Sequence, residues 1–152
     1  GKSVIFKYPP HAGVRIGKHC DIGSYCYFDV PKQGRLVVGD NVKLTAGVTI
    51  SAANSVEIGN DSLIAEWSSI RDSQHNYKSS EKIRLQGLDV SHIVIGKDVW
   101  IGRSVAVLMG SNVTDGCVVG ANSIVKKQTL EPDSVYVGAP LKKIGMRNQC
   151  GQ

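Results

Sequence analysis

Aliphatic residues recur every six positions along most of this 152-residue chain. The longest run keeps that spacing without a break through Ile95, Ile101, Val107, Val113, Val119 and Val125. Shorter runs precede it: Ile16, Ile22 and Phe28; Val38, Leu44 and Ile50; Ile58, Ile64 and Ile70. A helix of period 3.6 would spread these residues around its whole circumference, and a hairpin sheet would need a reversal every 8–12 residues or so. The period indicates instead a short strand followed by a bend, repeated.

Three such units bring the chain back to its starting direction, one layer further along. Stacked layers pair as parallel strands about 4.8 Å apart, with the aliphatic residue of each strand pointing inward. Turn-forming pairs such as Asp40-Asn41 and Lys97-Asp98 fill the gaps between the strands. Each coil buries its apolar face only against its neighbours, so several coils are needed for stability. The sequence therefore predicts an all-β fold, a parallel β-helix, in one domain spanning residues 1–152.

The six-residue register breaks at three places. Four extra residues separate Phe28 from Val38, and two extra separate Ile50 from Ile58. The largest break lies between Ile70 and Ile95, where residues of about 71–92 show no repeat. Such a protruding loop costs stability and commonly carries function. After Val125 the repeat fades, and a short C-terminal tail of about 139–152 follows.

Composition narrows the classes of function. The net charge of +5 permits an anionic ligand, but no Lys/Arg run or interleaving of aromatic with basic residues favours nucleic acid. No stretch approaches the ~20 apolar residues of a membrane span. The four cysteines, at 20, 26, 117 and 150, have no metal-ligand spacing, and three of them occupy repeat positions elsewhere filled by small residues. Buried free thiols and a cytoplasmic location are therefore expected.

Three segments resemble the hexapeptide-repeat acyltransferases. They are Ile95-Gly96-Lys97-Asp98-Val99-Trp100-Ile101-Gly102, Gly120-Ala121-Asn122-Ser123-Ile124-Val125-Lys126-Lys127 and Val137-Gly138-Ala139-Pro140-Leu141-Lys142-Lys143-Ile144. The resemblance is strongest to the maltose, galactoside and xenobiotic branch and to the O-acetyltransferases of bacterial surface polysaccharides. It implies a left-handed coil, a homotrimer, acetyl-CoA as donor and active sites between subunits. The handedness comes from the family, since parallel crossovers are ordinarily right-handed.

His75 is the candidate general base. Acetyl transfer to a hydroxyl needs a group that accepts the hydroxyl proton, and histidine titrates near working pH. In the resembling enzymes the catalytic histidine lies in the loop before the Trp-bearing coil, where His75 stands. Asp72 either orients His75 or caps a turn, and the sequence leaves both alternatives open. The other histidines are interpreted as solvated surface residues (His11 and His19) or as a strand-edge residue (His92).

Substrate contacts are expected at three further positions. By resemblance, Trp100 lines the cleft near the thioester, although packing beneath the loop is the alternative. Trp67 is either an acceptor platform or a residue at the edge of the coil. The sugar-acetylating relatives carry an acceptor-orienting Asn one coil earlier, and the matching position here is Gly47. Asn54 and Asn76 are nearby candidates for that task, but neither fits the motif, so the acceptor is expected to differ from theirs.

Coenzyme A needs cations for its phosphates and backbone partners for its pantetheine arm. The resemblance assigns the phosphates to Lys126, Lys127 and Lys142, each worth ~1 kcal/mol or less at an exposed site. It assigns the arm to the backbone at Arg103 and Ala121, because amides along parallel coils suit this kind of bonding. A merely solubilising surface is the alternative for the lysines.

The sequence thus predicts an acetyl-CoA-dependent O-acetyltransferase that acts on a hydroxyl of a sugar or surface-polysaccharide precursor, with no metal. Two other classes stay open. One is a non-catalytic β-helix scaffold. The other is a metal-dependent hydratase resembling the γ-carbonic anhydrases, which needs three histidines converging on zinc. The spacing of His19, His75 and His92 lacks that pattern.

Overall fold

The repeat folds into a parallel β-helix with three faces, described by a computed structural model over residues 1–147. The first face contains the strands Ile5–Phe6, Tyr27–Asp29, Thr49–Ser51, Ser69–Arg71, Ala106–Leu108 and Ile124–Val125. The second face contains Val14–Ile16, Arg35–Val38, Ser55–Ile58, Ile93–Ile95 and Asn112–Val113. The third face contains Asp21–Ile22, Lys43–Leu44, Leu63–Ile64, Trp100–Ile101, Val118–Val119, Ser134–Val137 and Lys142–Met146. The predicted fold class, a left-handed parallel β-helix of hexapeptide repeats, is confirmed.

The aliphatic residues of the repeat stack into columns. On the first face, Ile50 pairs with Ile70, which pairs with Val107 one layer further. These three side chains are fully buried, as are most other repeat residues between Phe28 and Val125. Burying one such side chain contributes ~1.5–3 kcal/mol, and each contribution depends on the coils above and below. The stability of the fold is therefore spread along its axis.

Two corners of the triangular coil turn through single residues in the left-handed conformation. At the corner between the second and third faces these are His19, Asn41, Asp61, Asp98, Gly116 and Asp133. Asn and Asp tolerate a positive φ better than most residues, which explains the turn pairs seen in the sequence. The corner between the third and first faces is here called the third corner; it comprises residues 23–26, 45–48, 65–68, 102–105 and 120–123. Tyr25 and Trp67 take the left-handed conformation there, with φ of 62° each.

All the register breaks lie at one corner. The insertion corner comprises the segments that join the first face to the second: residues 7–13, 30–34, 52–54, 72–92 and 109–111. Each break found in the sequence, including the large one after Ile70, falls here. The longest segment forms an antiparallel hairpin of Ser73–His75 with Leu88–Val90, with a 3-10 turn at Ile83–Leu85 between them. The predicted loop of about 71–92 is thus an ordered arm on one edge of the coil.

The last described strand folds back on its predecessor. Lys142–Met146 pairs antiparallel with Ser134–Val137, and the Arg147 guanidinium donates to the Asp98 carboxylate at 2.6 Å. The tail predicted at 139–152 therefore contains a strand as far as Met146. Cys150 lies outside the described residues.

Among the described residues no helix is long and apolar enough to cross a membrane. Cys20, Cys26 and Cys117 are free thiols, the last two buried. The burial of Cys26 raises the pKa of its thiol. Small buried residues were the interpretation favoured by the repeat, and Cys26 and Cys117 fill inward positions accordingly.

Candidate functional site

His75 stands on the hairpin at the insertion corner. It ends the first strand of the hairpin, directly opposite Leu88, and its side chain is exposed. At the root of the hairpin the Ser91 N–H donates to the Asp72 carbonyl at 2.9 Å. A histidine in an unstructured loop would sample many positions, whereas this one is carried by a hydrogen-bonded strand. The local structure therefore holds the ring over one side of the coil.

Asp72 anchors the hairpin to the preceding coil. Its side chain is fully buried, and one carboxylate oxygen accepts the Ala53 N–H at 2.8 Å. The other oxygen accepts the N–H groups of Asn54 and Ser55, at 2.7 Å each. Hydrogen bonds to an ionised acceptor are roughly twice as strong as neutral ones. Of the two alternatives given by the sequence, turn capping is the one that these contacts show, and within residues 1–147 no hydrogen bond joins Asp72 to His75.

A cleft of about 600 Å³ opens beneath His75. The His75 cleft is lined by Lys7, Tyr8, Asp29, Pro31, Gln33, Ser51, Ala53, Arg71, Ser73, Gln74, His75 and Leu88. These residues come from successive segments of the insertion corner and from the adjoining ends of the first-face strands. The residues inserted at the breaks in the repeat therefore line one cleft together.

Lys7 and Asp29 form an ion pair on one wall of the His75 cleft. The Lys7 ammonium donates to the Asp29 carboxylate at 3.0 Å, and this hydrogen bond raises the pKa of Lys7. The same ammonium lies 5.3 Å from the centre of the Tyr8 ring. Both side chains are solvent-accessible, so the ion pair contributes little to stability. It shapes one wall of the cleft and cancels the two charges there.

Asn76 faces a different space. It lines a cavity of about 440 Å³ within the hairpin, together with Gln86 and Asp89. With its amide oriented by its partners, Asn76 donates to both Asp89 oxygens at 2.9 and 3.0 Å. Gln86 holds the tip of the hairpin by donating to the Glu81 carbonyl at 2.6 Å. The structure thus places Asn76 inside the arm rather than in the His75 cleft.

The third corner carries Trp67, Arg103 and Ala121. The Trp67 indole lies over Gly47, where a Cβ would come within 2.3 Å of the ring. Trp67 is 57% exposed, and the Arg103 guanidinium lies 3.8 Å from the Glu66 carboxylate one layer away. The Asn122 N–H donates to the Arg103 carbonyl at 2.9 Å, so Arg103 and the segment of Ala121 are stacked. These three residues form a continuous strip at the corner across the first face from His75.

Trp100 lies on the third face and is 52% exposed. It lines a cleft of about 340 Å³ with Asp98 and Arg147 among others. The hydrogen bond from Arg147 to Asp98 raises the pKa of the guanidinium. Trp100 neither packs beneath the hairpin nor reaches the His75 cleft of its own chain.

The three lysines assigned to coenzyme A divide between two places. Lys126 lines a cleft of about 480 Å³ with Ile124, Pro140 and Leu141. Lys142 follows Leu141 and is exposed. Lys127 points towards the hairpin root instead. Its Cγ lies 2.9 Å from the position that a Cβ on Gly110 would take, and the Ser91 hydroxyl lies near that same position.

Other histidines lie apart from the His75 cleft. His11 was expected to be a solvated surface residue, but the structure shows that its ring packs against the backbone. Its ring is half-buried, one nitrogen contacts the Val30 and Pro31 carbonyls at 3.3 and 3.0 Å, and the other accepts the Gly13 N–H at 3.1 Å. Over residues 1–147, no three His, Cys, Asp or Glu side chains gather closely enough to hold a metal ion.

Five of the predicted residues form two groups within one chain, and Trp100, Asn76 and Lys126 belong to neither. His75 and Asp72 lie at the insertion corner, and Trp67, Arg103 and Ala121 lie at the third corner. Sequence reasoning missed Lys7, Tyr8 and Asp29 as cleft residues. The signal was present in the register, because Asp29, Ser51 and Arg71 are adjacent in the first-face ladder.

Comparison with known proteins gives consistent matches. The family model described as the hexapeptide repeat of succinyl-transferase matches residues 13–52 and 92–127. A protein of Escherichia coli (strain K12) named as a lipopolysaccharide biosynthesis O-acetyl transferase, WbbJ, is 34% identical over 95% of this chain and 79% of its own length. A protein of Mycobacterium tuberculosis named as an acetyltransferase is 36% identical over 97% of this chain, which spans only 49% of that protein.

Among solved structures, a galactoside acetyltransferase in complex with coenzyme A superposes with a TM-score of 0.78 at 28% identity. The match covers 90% of this chain and 66% of that one. The likeness therefore extends over nearly the whole coil described above, while part of the other protein has no counterpart in this chain.

Proposed function

Since this chain belongs to the hexapeptide-repeat acyltransferases, we propose that it transfers an acetyl group from acetyl-CoA to a hydroxyl of a sugar or surface-polysaccharide precursor. The observation that carries this is the position of His75 on an ordered strand, exposed at a cleft of about 600 Å³ whose lining combines polar and charged side chains with Pro31, Ala53 and Leu88. The named relatives support the donor and the acceptor class: a lipopolysaccharide biosynthesis O-acetyl transferase and a galactoside acetyltransferase solved with coenzyme A.

In the proposed reaction His75 accepts the proton of the acceptor hydroxyl as its oxygen attacks the thioester carbonyl carbon. The C–O bond forms, the C–S bond breaks, and the proton passes from the imidazolium to the departing CoA thiolate. A base of this kind contributes ~10²–10⁴-fold to the rate. Asp72 acts as a positioning residue in this scheme, because its carboxylate fixes the root of the strand that carries His75.

The donor would bind along the third corner, where the stacked backbone at Arg103 and Ala121 can bond the pantetheine arm. Lys126 and Lys142 would contact the phosphates from one side, whereas Lys127, which lies beside the hairpin root, would reach them only from another subunit. The first face separates this strip from the His75 cleft of the same chain. We therefore propose a homotrimer in which the third corner of one subunit meets the insertion corner of the next. Trp100 and Trp67 would then approach the acceptor only across that interface, while Asn76 shapes the arm.

The three described thiols are all free, which suits a reducing compartment, so we place the reaction in the cytoplasm. No metal takes part in the proposed steps.

The test is release of CoA thiol from acetyl-CoA by wild type, His75→Ala and His75→Gln with a panel of sugars. Wild type should turn over with at least one sugar, and both variants should lose roughly 10²-fold or more in kcat. Succinyl-CoA belongs in the donor panel because of the description of the matching family model. An unchanged rate in both variants would remove His75 as the base, and an absence of any thiol release would favour the scaffold alternative.

Subunit sharing has its own experiment. His75→Ala is mixed, after denaturation and refolding, with a variant altered at the third corner, Ala121→Asp. If the site lies between subunits, the mixture regains activity that neither variant shows alone. Light scattering on the wild type should give a trimer mass, and a monomer with full activity would refute the shared site.

A further inference from the structure

Arg71 occupies a defined position at the edge of the His75 cleft. It pairs with Ser51 on one side and Leu108 on the other in the first-face ladder, and its side chain is exposed. The strand ending in His75 begins two residues later. Arg71 is thus held by the coil itself, and its guanidinium projects from the same short stretch of chain that presents the base.

The charges in the His75 cleft leave one cation uncompensated. Lys7 and Asp29 neutralise one another at 3.0 Å. Arg71 has no carboxylate within 4.0 Å among residues 1–147, a property that it shares with the exposed Arg15 and Arg84, but of these three only Arg71 lines the His75 cleft. The remaining polar side chains of the cleft, Tyr8, Gln33, Ser51, Ser73 and Gln74, are neutral donors and acceptors. The cleft is therefore lined by both His75 and a guanidinium that has no carboxylate partner among residues 1–147.

From this arrangement we infer that Arg71 selects an acceptor that carries an oxyanion, a carboxylate or a phosphate, on the same sugar unit as the hydroxyl to be acetylated. The inference rests on the proposed function and specifies its acceptor class. A guanidinium presents a planar fork that matches both anions with two parallel hydrogen bonds. Such a contact fixes orientation as well as charge, so the neighbouring hydroxyl would be turned towards His75.

A second anion could reach the same place. If subunits meet at this corner, a phosphate of coenzyme A bound to the neighbour could pair with Arg71 instead. Substitution of Arg71 would change different kinetic constants for the two ligands, the acceptor and coenzyme A. A guanidinium that reads the acceptor affects kcat/KM for anionic acceptors and leaves the KM for acetyl-CoA unaltered, whereas one that holds the donor raises that KM for every acceptor.

The experiment compares glucuronate and glucose 6-phosphate with glucose, which has the same ring without the anion. Wild type, Arg71→Gln and Arg71→Lys are assayed for kcat/KM, with Arg84→Gln as the control, because Arg84 lies in the 3-10 turn of the hairpin outside the cleft. We expect wild type to favour one or both anionic sugars about tenfold or more, in line with the strength of a charge-assisted pair. Arg71→Gln should abolish that preference, so that kcat/KM for the anionic sugars falls to the value that the variant shows with glucose. Arg71→Lys should restore part of it, and the control should match wild type.

Binding separates this inference from the catalytic proposal. Glucuronate and glucose are titrated against His75→Ala, with and without Arg71→Gln, by ligand-observed NMR. Tighter binding of glucuronate that depends on Arg71 supports the inference independently of turnover. Equal use and equal binding of glucose and the anionic sugars by wild type would overturn it while leaving the acetyltransferase proposal intact. A rise in the KM for acetyl-CoA in Arg71→Gln would assign the guanidinium to the donor instead. An absence of thiol release with all sugars would count against the proposed function itself.

Discussion

The main-chain carbonyl of Asp72 accepts the N–H of Ser91 at 2.9 Å, and this single contact closes the root of the hairpin that carries His75. The side chain of Asp72 points the other way, into the turn at 53–55 of the preceding coil. One residue therefore ties the hairpin both to itself and to the coil. The position of His75 depends on this junction more than on any contact of its own ring.

Asp72→Asn should lower both stability and turnover. An amide has one acceptor oxygen where the carboxylate has two, so at least one of the three backbone N–H groups would lose its acceptor and face an NH2 group. We therefore expect a loss of ~1–3 kcal/mol in the free energy of unfolding. The kcat should fall as His75 loses its fixed position, with the KM for acetyl-CoA unchanged. Asp115→Asn is the matched control, since Asp115 accepts the Lys97 N–H at 2.7 Å at a different corner. Equal kcat in the two variants would contradict the positioning role.

Ile70→Ala should destabilise the coil directly beneath the arm. Ile70 is fully buried between Ile50 and Val107, so truncation leaves a cavity worth ~2–5 kcal/mol, whereas Ile70→Val should cost only ~0.5–1.5 kcal/mol. Urea denaturation measures both values. A loss as small for Ala as for Val would show that the neighbouring coils collapse into the space.

Gly47→Ala tests the packing of the third corner. A Cβ at Gly47 would lie 2.3 Å from the Trp67 ring, and the backbone φ there is +71°. The indole must move, so tryptophan fluorescence should change and the free energy of unfolding should fall by more than the ~1–2 kcal/mol of a left-handed Ala. In a Trp67→Ala background only the backbone cost should remain. Equal losses in the two backgrounds would mean that the ring does not obstruct the new methyl group.

Thiol reactivity should follow burial. Cys20 is half-buried and should react with a thiol reagent in the native state, whereas Cys26 should react only on unfolding, assayed in a Cys150→Ser background.

Burial raises the pKa of the Cys26 thiol above its unfolded value of about 9. Below that pH both states hold the proton and stability is unaffected. Above it the unfolded state ionises first, so the free energy of unfolding should decline as the pH rises. Cys26→Ala should decline less steeply in denaturation curves at pH 8 and pH 10.

Lys126→Ala should weaken donor binding if the cleft it lines receives coenzyme A. An exposed contact contributes ~1 kcal/mol or less, so the KM for acetyl-CoA should rise up to about fivefold at low salt. The difference from wild type should shrink as salt is added, because exposed charges are screened. Lys97→Ala, at the corner between the second and third faces, is the control. A rise in KM that does not depend on salt would point to a packing role.

Particular residues show how far the sequence reached into the site. His75 was found through resemblance; it lines a cleft, and its role as the base stays a prediction. Asp29 and Lys7 are far from His75 in the chain and carry no motif. The ladder register Asp29–Ser51–Arg71 brings Asp29 beside it, and Lys7 follows through its ion pair with Asp29. Trp100 was expected to line the cleft near the thioester and Asn76 was a candidate to orient the acceptor; the structure puts the first on the third face and the second inside the arm.

The sequence by itself determined the coil. A six-residue aliphatic period admits one way of burying every repeat residue, because each inward side chain must meet the equivalent one in the next layer. Tertiary structure alone decided where the insertions meet. Residues from successive coils, such as Asp29 and Arg71, share one corner because the three-sided coil returns to it once per turn. A local sequence pattern does not specify which side chains from different coils become neighbours there.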